Sequence, residues 1–452
     1  ALGANTTGTE GTAVGANTLQ ANTTGDRNTA LGQSALVSNS TGSTNTALGH
    51  DALFSNTTAS NNTAVGKDAL YYNTTGASNT AVGALALDAN TTGAENTAIG
   101  ENSLGANTTG NYNVALGRAA LFNNTTASNN TGLGYFALRL NTTGSNNTSV
   151  GYKALDANTT GGANTATGKD SLASNTTGSD NAAYGVESLQ NNTTAGNNTA
   201  VGYRSLRANT TGGDNTAVGF NSLTNNTTGG SNTSVGRSAL SNNTTGGQNT
   251  AIGHETLDQN TTGNYNVAMG RASLDANITG SNNVSLGSFA LTTCTTGGTN
   301  TAVGYNSLAG VTTGSENCGL GQAATGITTG SNNLMLGHDA GRSNAPSGSI
   351  TTGSNNVCLG NNNISNLFCA DTSISSSDSR DKTDVADFSI GLAWINALRP
   401  VTYKWDRRTW YGTDAEPFGT PDGSKKRAKT HIGFLAQEAL AVEQANGYGS
   451  SN

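Results

Sequence analysis

A strict 17-residue period runs through most of this chain, and a fixed period of that kind has to be read before any local feature. The tetrapeptide Asn5-Thr6-Thr7-Gly8 opens an asparagine column that continues at Asn22, Asn39 and Asn56 and is unbroken to Asn277. A glycine column runs from Gly15 through Gly32 and Gly49 to Gly321, and a leucine column from Leu19 to Leu308. The residue before each column glycine is usually Val, Leu or Ile, as at Val14, Leu31, Val65 and Ile99. The unit reads N-T-T-G-x-x-N-T-A-V-G-x-x-A-L-x-x.

Seventeen residues are too few for a helical-hairpin repeat but fit one coil of a β-solenoid. Two short strands and two turns are expected per coil, with Thr-Ala-Val as one strand and Ala-Leu-x-x-Asn-Thr-Thr as the other segment. Glycine and asparagine at fixed places suit turns that need positive φ. Asparagines stacked coil upon coil can form side-chain amide ladders. At about 4.8 Å per stacked strand, some twenty coils give a rod of roughly 95 Å.

Each coil brings little apolar surface: the aliphatic before glycine, one Leu and two Ala. Burying so little has to offset the entropy of ordering the whole coil. A narrow solenoid filled by small Ala, Thr and Asn is one solution. Three chains pooling their apolar columns around a common axis is the other, and a homotrimer is the favoured expectation. The expected fold is thus an all-β repeat solenoid, a parallel β-roll or β-helix over residues 1–370, followed by a small α+β domain over 371–452.

Composition narrows the function. Thr (71), Asn (62) and Gly (61) dominate, while charged residues are 11% and hydrophobic ones 33%. That is poor material for a conventional enzyme core. A net charge of −7 argues against electrostatic binding of nucleic acid. No run of about 18 apolar residues is present to span a membrane as a helix. The chain starts at Ala1, inside the repeat pattern and without a signal peptide, and reads as a piece of a longer protein. Every asparagine of the Asn5–Asn277 column lies in an N-x-T sequon. Glycosylation on nearly every coil is incompatible with tight stacking, so a bacterial or phage source is expected.

The position after each column glycine varies and is often large. It carries Tyr135, Tyr152, Tyr203, Phe220 and Tyr305, interleaved with Lys67, Arg118, Lys169, Arg237 and Arg271. In a solenoid these side chains stack into one column. Such a column suits sugar rings and their hydroxyl or anionic groups. It also suits packing between neighbouring subunits, where long stems cover apolar surface. Paired Thr6-Thr7 point to opposite faces of a strand, so a T-x-T array of the ice-binding kind is mostly missing. The four cysteines (Cys294, Cys318, Cys358, Cys369) form no C-x-x-C and have no histidine at zinc spacing, and they read as small buried thiols. No metal or cofactor motif is found. The repeats place no carboxylate pair for glycoside hydrolysis.

The repeat motif, for example Asn62-Thr63-Ala64-Val65-Gly66-Lys67-Asp68-Ala69-Leu70, resembles the head repeats of trimeric autotransporter adhesins. That resemblance implies a trimeric parallel β-roll. Register breaks near the end, where Gly321 to Gly337 is one residue short and a loop around Gly341–Ser349 is inserted before Gly360. After Ala370 the composition changes: all three Trp, three of the four Pro and only three Asn follow. Here Asp387–Leu398 reads as a helix ended by Pro400, Val401–Trp405 and His431–Leu435 as strands, and Ala436–Ala445 as a second helix.

Three blocks in this tail carry a second resemblance: Ser377-Asp378-Ser379-Arg380-Asp381-Lys382, Leu398-Arg399-Pro400-Val401-Thr402-Tyr403-Lys404-Trp405, and Gly433-Phe434-Leu435-Ala436-Gln437-Glu438. In type, order and spacing they resemble the endosialidase-type intramolecular chaperone, or S74 peptidase, family. Such domains cap phage tail fibres and spikes, drive trimerisation and then cut themselves free. The resemblance implies cleavage between Ser376 and Ser377, with Ser377 as nucleophile and Lys382 as base, supported by Asp378 and Arg380. A serine hydroxyl needs a base, and a neutral lysine serves if burial and a nearby Arg380 lower its pKa.

The reading that follows is a trimeric phage tail fibre or spike shaft with a self-cleaving assembly domain. It would act in the virion with other tail proteins and bind a host cell-surface glycan or other receptor. A bacterial surface adhesin with a retained trimer cap is the alternative, and would place the protein outside the cell.

Overall fold

A computed structural model describes residues 2–365, 397–404, 420, 424, 425, 428, 430–433 and 435–445. The chain divides into two compact units, Ala1–Leu367 and Phe368–Asn452. The first is a parallel β-solenoid of 21 three-residue strands, β1 (Thr12–Val14) to β21 (Val357–Leu359), one per coil. Each strand pairs with the next in strict register, as Thr63↔Thr80, Ala64↔Ala81 and Val65↔Val82. The short coil and the inserted loop leave this stacking intact: Cys318 pairs with Leu334 and Leu334 with Val357. Within the insertion, Ile350 N–H closes back on Gly341 C=O at 3.0 Å.

Only one strand forms per coil, where two were expected. In the Ala-Leu-x-x-Asn-Thr-Thr segment the column leucine takes a left-handed backbone, φ 52° at Leu70, as does the residue two before it, Asp68 at 57°. A positive φ on alternate residues prevents an extended segment. Coil-to-coil bonding continues nonetheless, with Leu70 N–H donating to Ala86 C=O at 3.0 Å and Thr74 N–H to Thr91 C=O at 2.9 Å. The column glycines turn the chain out of the strand. Gly66 has φ +138°, and a Cβ there would lie 2.5 Å from Gly83 O of the next coil, so both backbone and space demand glycine.

The core is closed within one chain. The Leu19–Leu308 column is fully buried, and with it the mid-strand Ala30, Ala47 and Ala64 and the Ala69 and Ala86 that precede column leucines. The aliphatic before each glycine, expected in the core, faces outward instead. Ile99 is 37% and Val14 55% exposed, because a strand alternates faces and the central alanine takes the inner one.

The remaining interior is amide. The column from Asn22 to Asn277 is buried, and so is a second from Asn28 to Asn333. Each ladder asparagine bonds the one below and its own turn. Asn158 Nδ2 donates to Asn141 Oδ1 at 2.8 Å and to Gly161 C=O at 2.9 Å, and its Oδ1 accepts from Asn175 Nδ2 at 2.8 Å. The second ladder takes its own donors, with Asn147 Nδ2 also reaching Gly161 C=O at 2.9 Å. These bonds let a polar residue occupy the core, since a buried amide without partners costs about 1–3 kcal/mol per group. The first ladder stops where Cys294 and Val311 take over, and Asn277 Oδ1 there has no partner.

In the second unit, β22 (Val401–Tyr403) pairs antiparallel with β23 (His431–Gly433), and α1 spans Ala436–Ala445. Residues 387–396 of the expected first helix lie outside the described residues. Among the described residues, no helix is long and apolar enough to cross a membrane.

Candidate binding surface and assembly domain

The solenoid sorts its surface by the position of each residue in the coil. On the side that follows each column glycine, aromatic and charged side chains from successive coils meet at the coil spacing. Tyr135 and Tyr152 stack with ring centroids 5.7 Å apart and planes at 6°. Tyr203 and Phe220 stack at 5.3 Å. Tyr305 meets Phe289 edge-on at 6.1 Å. The five post-glycine rings remain solvent-accessible, from 37% at Tyr135 to 57% at Tyr305. The expected stripe is therefore three separate ledges, since smaller or charged residues occupy the coils between them.

Cations flank each ledge. Arg118 lies 5.8 Å over the Tyr135 ring and donates to its hydroxyl at 3.2 Å. Lys153 sits 5.5 Å over Tyr152, and Arg204 4.8 Å over Tyr203. Arg204 also bonds Glu187 at 2.8 Å; that hydrogen bond, with the nearby guanidinium charges, holds the Glu187 carboxyl below its usual range. Surface pairs of this kind, half-covered here, add little to stability. They orient the guanidinium over the ring, where cation–π attraction adds to the contact.

Sequence reasoning confined to the post-glycine position missed several members. Phe136 lies 3.9 Å from Tyr135, and Phe289 completes the third ledge. A further cluster joins Phe54, stacked on Tyr71 at 4.9 Å, with Tyr72. These belong to columns one position after the stripe or just after the column leucine. Reading all outward columns at the same 17-residue offset would have found them. Beside Tyr71 and Tyr72 a groove of about 350 Å³ is lined by His50, Asp51, Lys67, Asp68, Leu85 and Asp88. Burial pushes the Asp88 carboxyl up and the Tyr71 hydroxyl up. Possible ligand atoms of His50, Asp51 and Asp68 lie within 4.8 Å of one another, but Asp68 is already paired with Lys67 at 2.6 Å.

Three cysteines are free thiols. Cys294 and Cys358 are buried and Cys318 half-buried. Burial pushes the Cys294 thiol up to about 11, which leaves it unreactive. Cys369 lies outside the described residues.

In the second unit the second and third motif blocks come together. Val401↔Gly433, Thr402↔Ile432 and Tyr403↔His431 pair across the two strands. Arg399 forms a two-pronged ion pair with Glu438, at 3.1 and 2.5 Å, tying the segment before β22 to the first turn of α1. The hydrogen bond lowers the Glu438 pKa and raises that of Arg399. Ser376, Ser377, Asp378, Arg380 and Lys382 lie outside the described residues.

Compared with known proteins, residues 377–448 match the family described as chaperone of endosialidase. None of the curated proteins matches the chain, and no solved structure matches it. This match near the C-terminus, together with the parallel β-solenoid coils that precede it in sequence, fits a tail fibre or tail spike that carries a chaperone-of-endosialidase domain.

Proposed function

We propose that the protein is the shaft of a homotrimeric phage tail fibre or spike, residues 1–370, with an assembly domain, residues 371–452, that trimerises and then cuts itself free. The match to the chaperone of endosialidase carries this reading, and the matched stretch begins at Ser377. In the proposed cut, Ser377 Oγ attacks the Ser376 carbonyl and Lys382, as neutral amine, takes the hydroxyl proton. The same group then protonates the leaving amine, and water hydrolyses the ester. The aromatic ledges at Tyr135, Tyr152, Tyr203, Phe220 and Tyr305 are the host-glycan contacts. Flat exposed rings flanked by oriented guanidinium groups support that role, which rim-exposed aromatics fill well.

Mass spectrometry of the full chain expressed with any downstream part of its domain tests the cut. One new N-terminus at Ser377 is expected, absent in Ser377→Ala and in Lys382→Arg, whose guanidinium stays charged. Efficient cleavage of Lys382→Arg would exclude the serine–lysine pair. For the ledges, Tyr152→Ser with Tyr203→Ser should abolish binding on a glycan array while light scattering still gives three copies. Loss of the trimer would assign the column to subunit packing instead.

A further inference from the structure

We infer that the outer face of the 21-stranded sheet is where copies of this chain meet, and that it forms the inner wall of the trimer. The inference rests on the trimeric reading above and adds which surface is buried. None of the strands β1–β21 contains a charged residue. The charged residues of the coils lie in the segments between strands, among them the ion pairs Arg118–Glu101 and Arg204–Glu187. The central residue of each strand points into the core, so the first and third face outward. The third is Val, Leu, Ile or Met in nineteen of the 21 strands, and residues such as Val14, Leu116, Val201 and Met269 are exposed.

A solvent face has no reason to exclude charge over every coil while the segments that connect the strands carry it freely. Partly exposed aliphatics on this scale leave roughly 1,000 Å² of apolar surface per chain, against the few hundred Å² of an ordinary monomer's largest patch and about 800 Å² per partner in a standard interface. The row also dictates its occupant. It advances by one residue per coil through the entire strand stack, in unbroken register. A surface that covers it has to repeat at the same rise over the same length. A second and third copy of the same solenoid, side by side and in register, meet that condition; a compact globular partner meets it over a few coils only.

Thiol labelling of the full chain tests this directly. Cys318, on the same face, is replaced by Thr, the residue most coils carry there, and Cys369 by Ser, while buried Cys294 and Cys358 stay. Val201→Cys then reports on the sheet face and Thr211→Cys, on an exposed turn, serves as control. Light scattering that gives three copies, with loss of maleimide labelling at position 201 and full labelling at 211, supports the inference. Three copies with position 201 freely labelled would overturn it and leave the trimeric fibre standing. A monomer would overturn both, whether position 201 is labelled or covered by something else.

Discussion

Replacing Asn158 by Asp keeps the shape of the side chain, removes the two donated amide protons and, once the carboxyl ionises, adds a charge to the buried ladder. Those protons go to Asn141 Oδ1 and Gly161 C=O. Gly161 C=O keeps its bond from Asn147 Nδ2. Asn141 Oδ1 has no other donor and would face a carboxylate oxygen. One orphaned buried acceptor costs about 1–3 kcal/mol. Ionising the new group among Asn141 Oδ1 and Gly161 C=O costs more, even with the bond from Asn175 Nδ2. A loss of about 3–5 kcal/mol at pH 8 is expected. At pH 4 the carboxyl is protonated, regains one donor, and the loss falls to about 1–2 kcal/mol. The group's pKa is raised by folding, so stability is lost as pH rises through it. Because coils couple mainly to their neighbours, the effect is local. Hydrogen exchange should show the amides of the coils around position 158 opening about 100-fold or more faster at pH 8, after correction for intrinsic rates. Exchange equal to wild type at both pH values would refute the view that the ladder holds the core together.

Leu155→Asp puts a charge where the column is fully buried, and should cost about 4 kcal/mol or more and unfold several coils by circular dichroism; a native melting curve would contradict a core closed within one chain. Ala163 holds φ +55° on the exposed turn, so Ala163→Gly should stabilise by roughly 0.5–1 kcal/mol by relieving the left-handed strain, net of the lost chain entropy, and a lower melting temperature would count against that assignment. Asp275 is pushed up to about 6, first by burial and then by Asp258 and Glu255. Folding therefore favours its protonated form, and stability is lost as pH rises from 3.8 to about 6. Asp275→Asn should stabilise by about 1 kcal/mol at pH 7, after discounting for solvent screening, and have little effect at pH 3.5; an equal shift at both pH values would point to packing instead.

The sequence by itself determined the period, and through it the parallel stacking and the identity of every column. A 17-residue offset places Thr63 on Thr80 and Asn141 on Asn158 whatever the shape of the coil, so strand register and amide ladders follow from spacing alone. The strand at Thr-Ala-Val, the loop at Gly341–Ser349 and the helix Ala436–Ala445 were legible for the same reason, since local pattern and turn chemistry dictate them. Two things were decided by tertiary structure. Leu70 at φ 52° is a conformation its own propensity opposes, held because the next coil's Ala86 carbonyl receives its N–H, and that converts an expected second strand into turns. The direction of the aliphatic before each glycine was the other. Spacing says only that Val65 and Ala64 point opposite ways. Which one is inside depends on the width of the closed coil, and a coil this narrow, already filled by Leu70, Asn56 and Asn62, has room for alanine and none for valine.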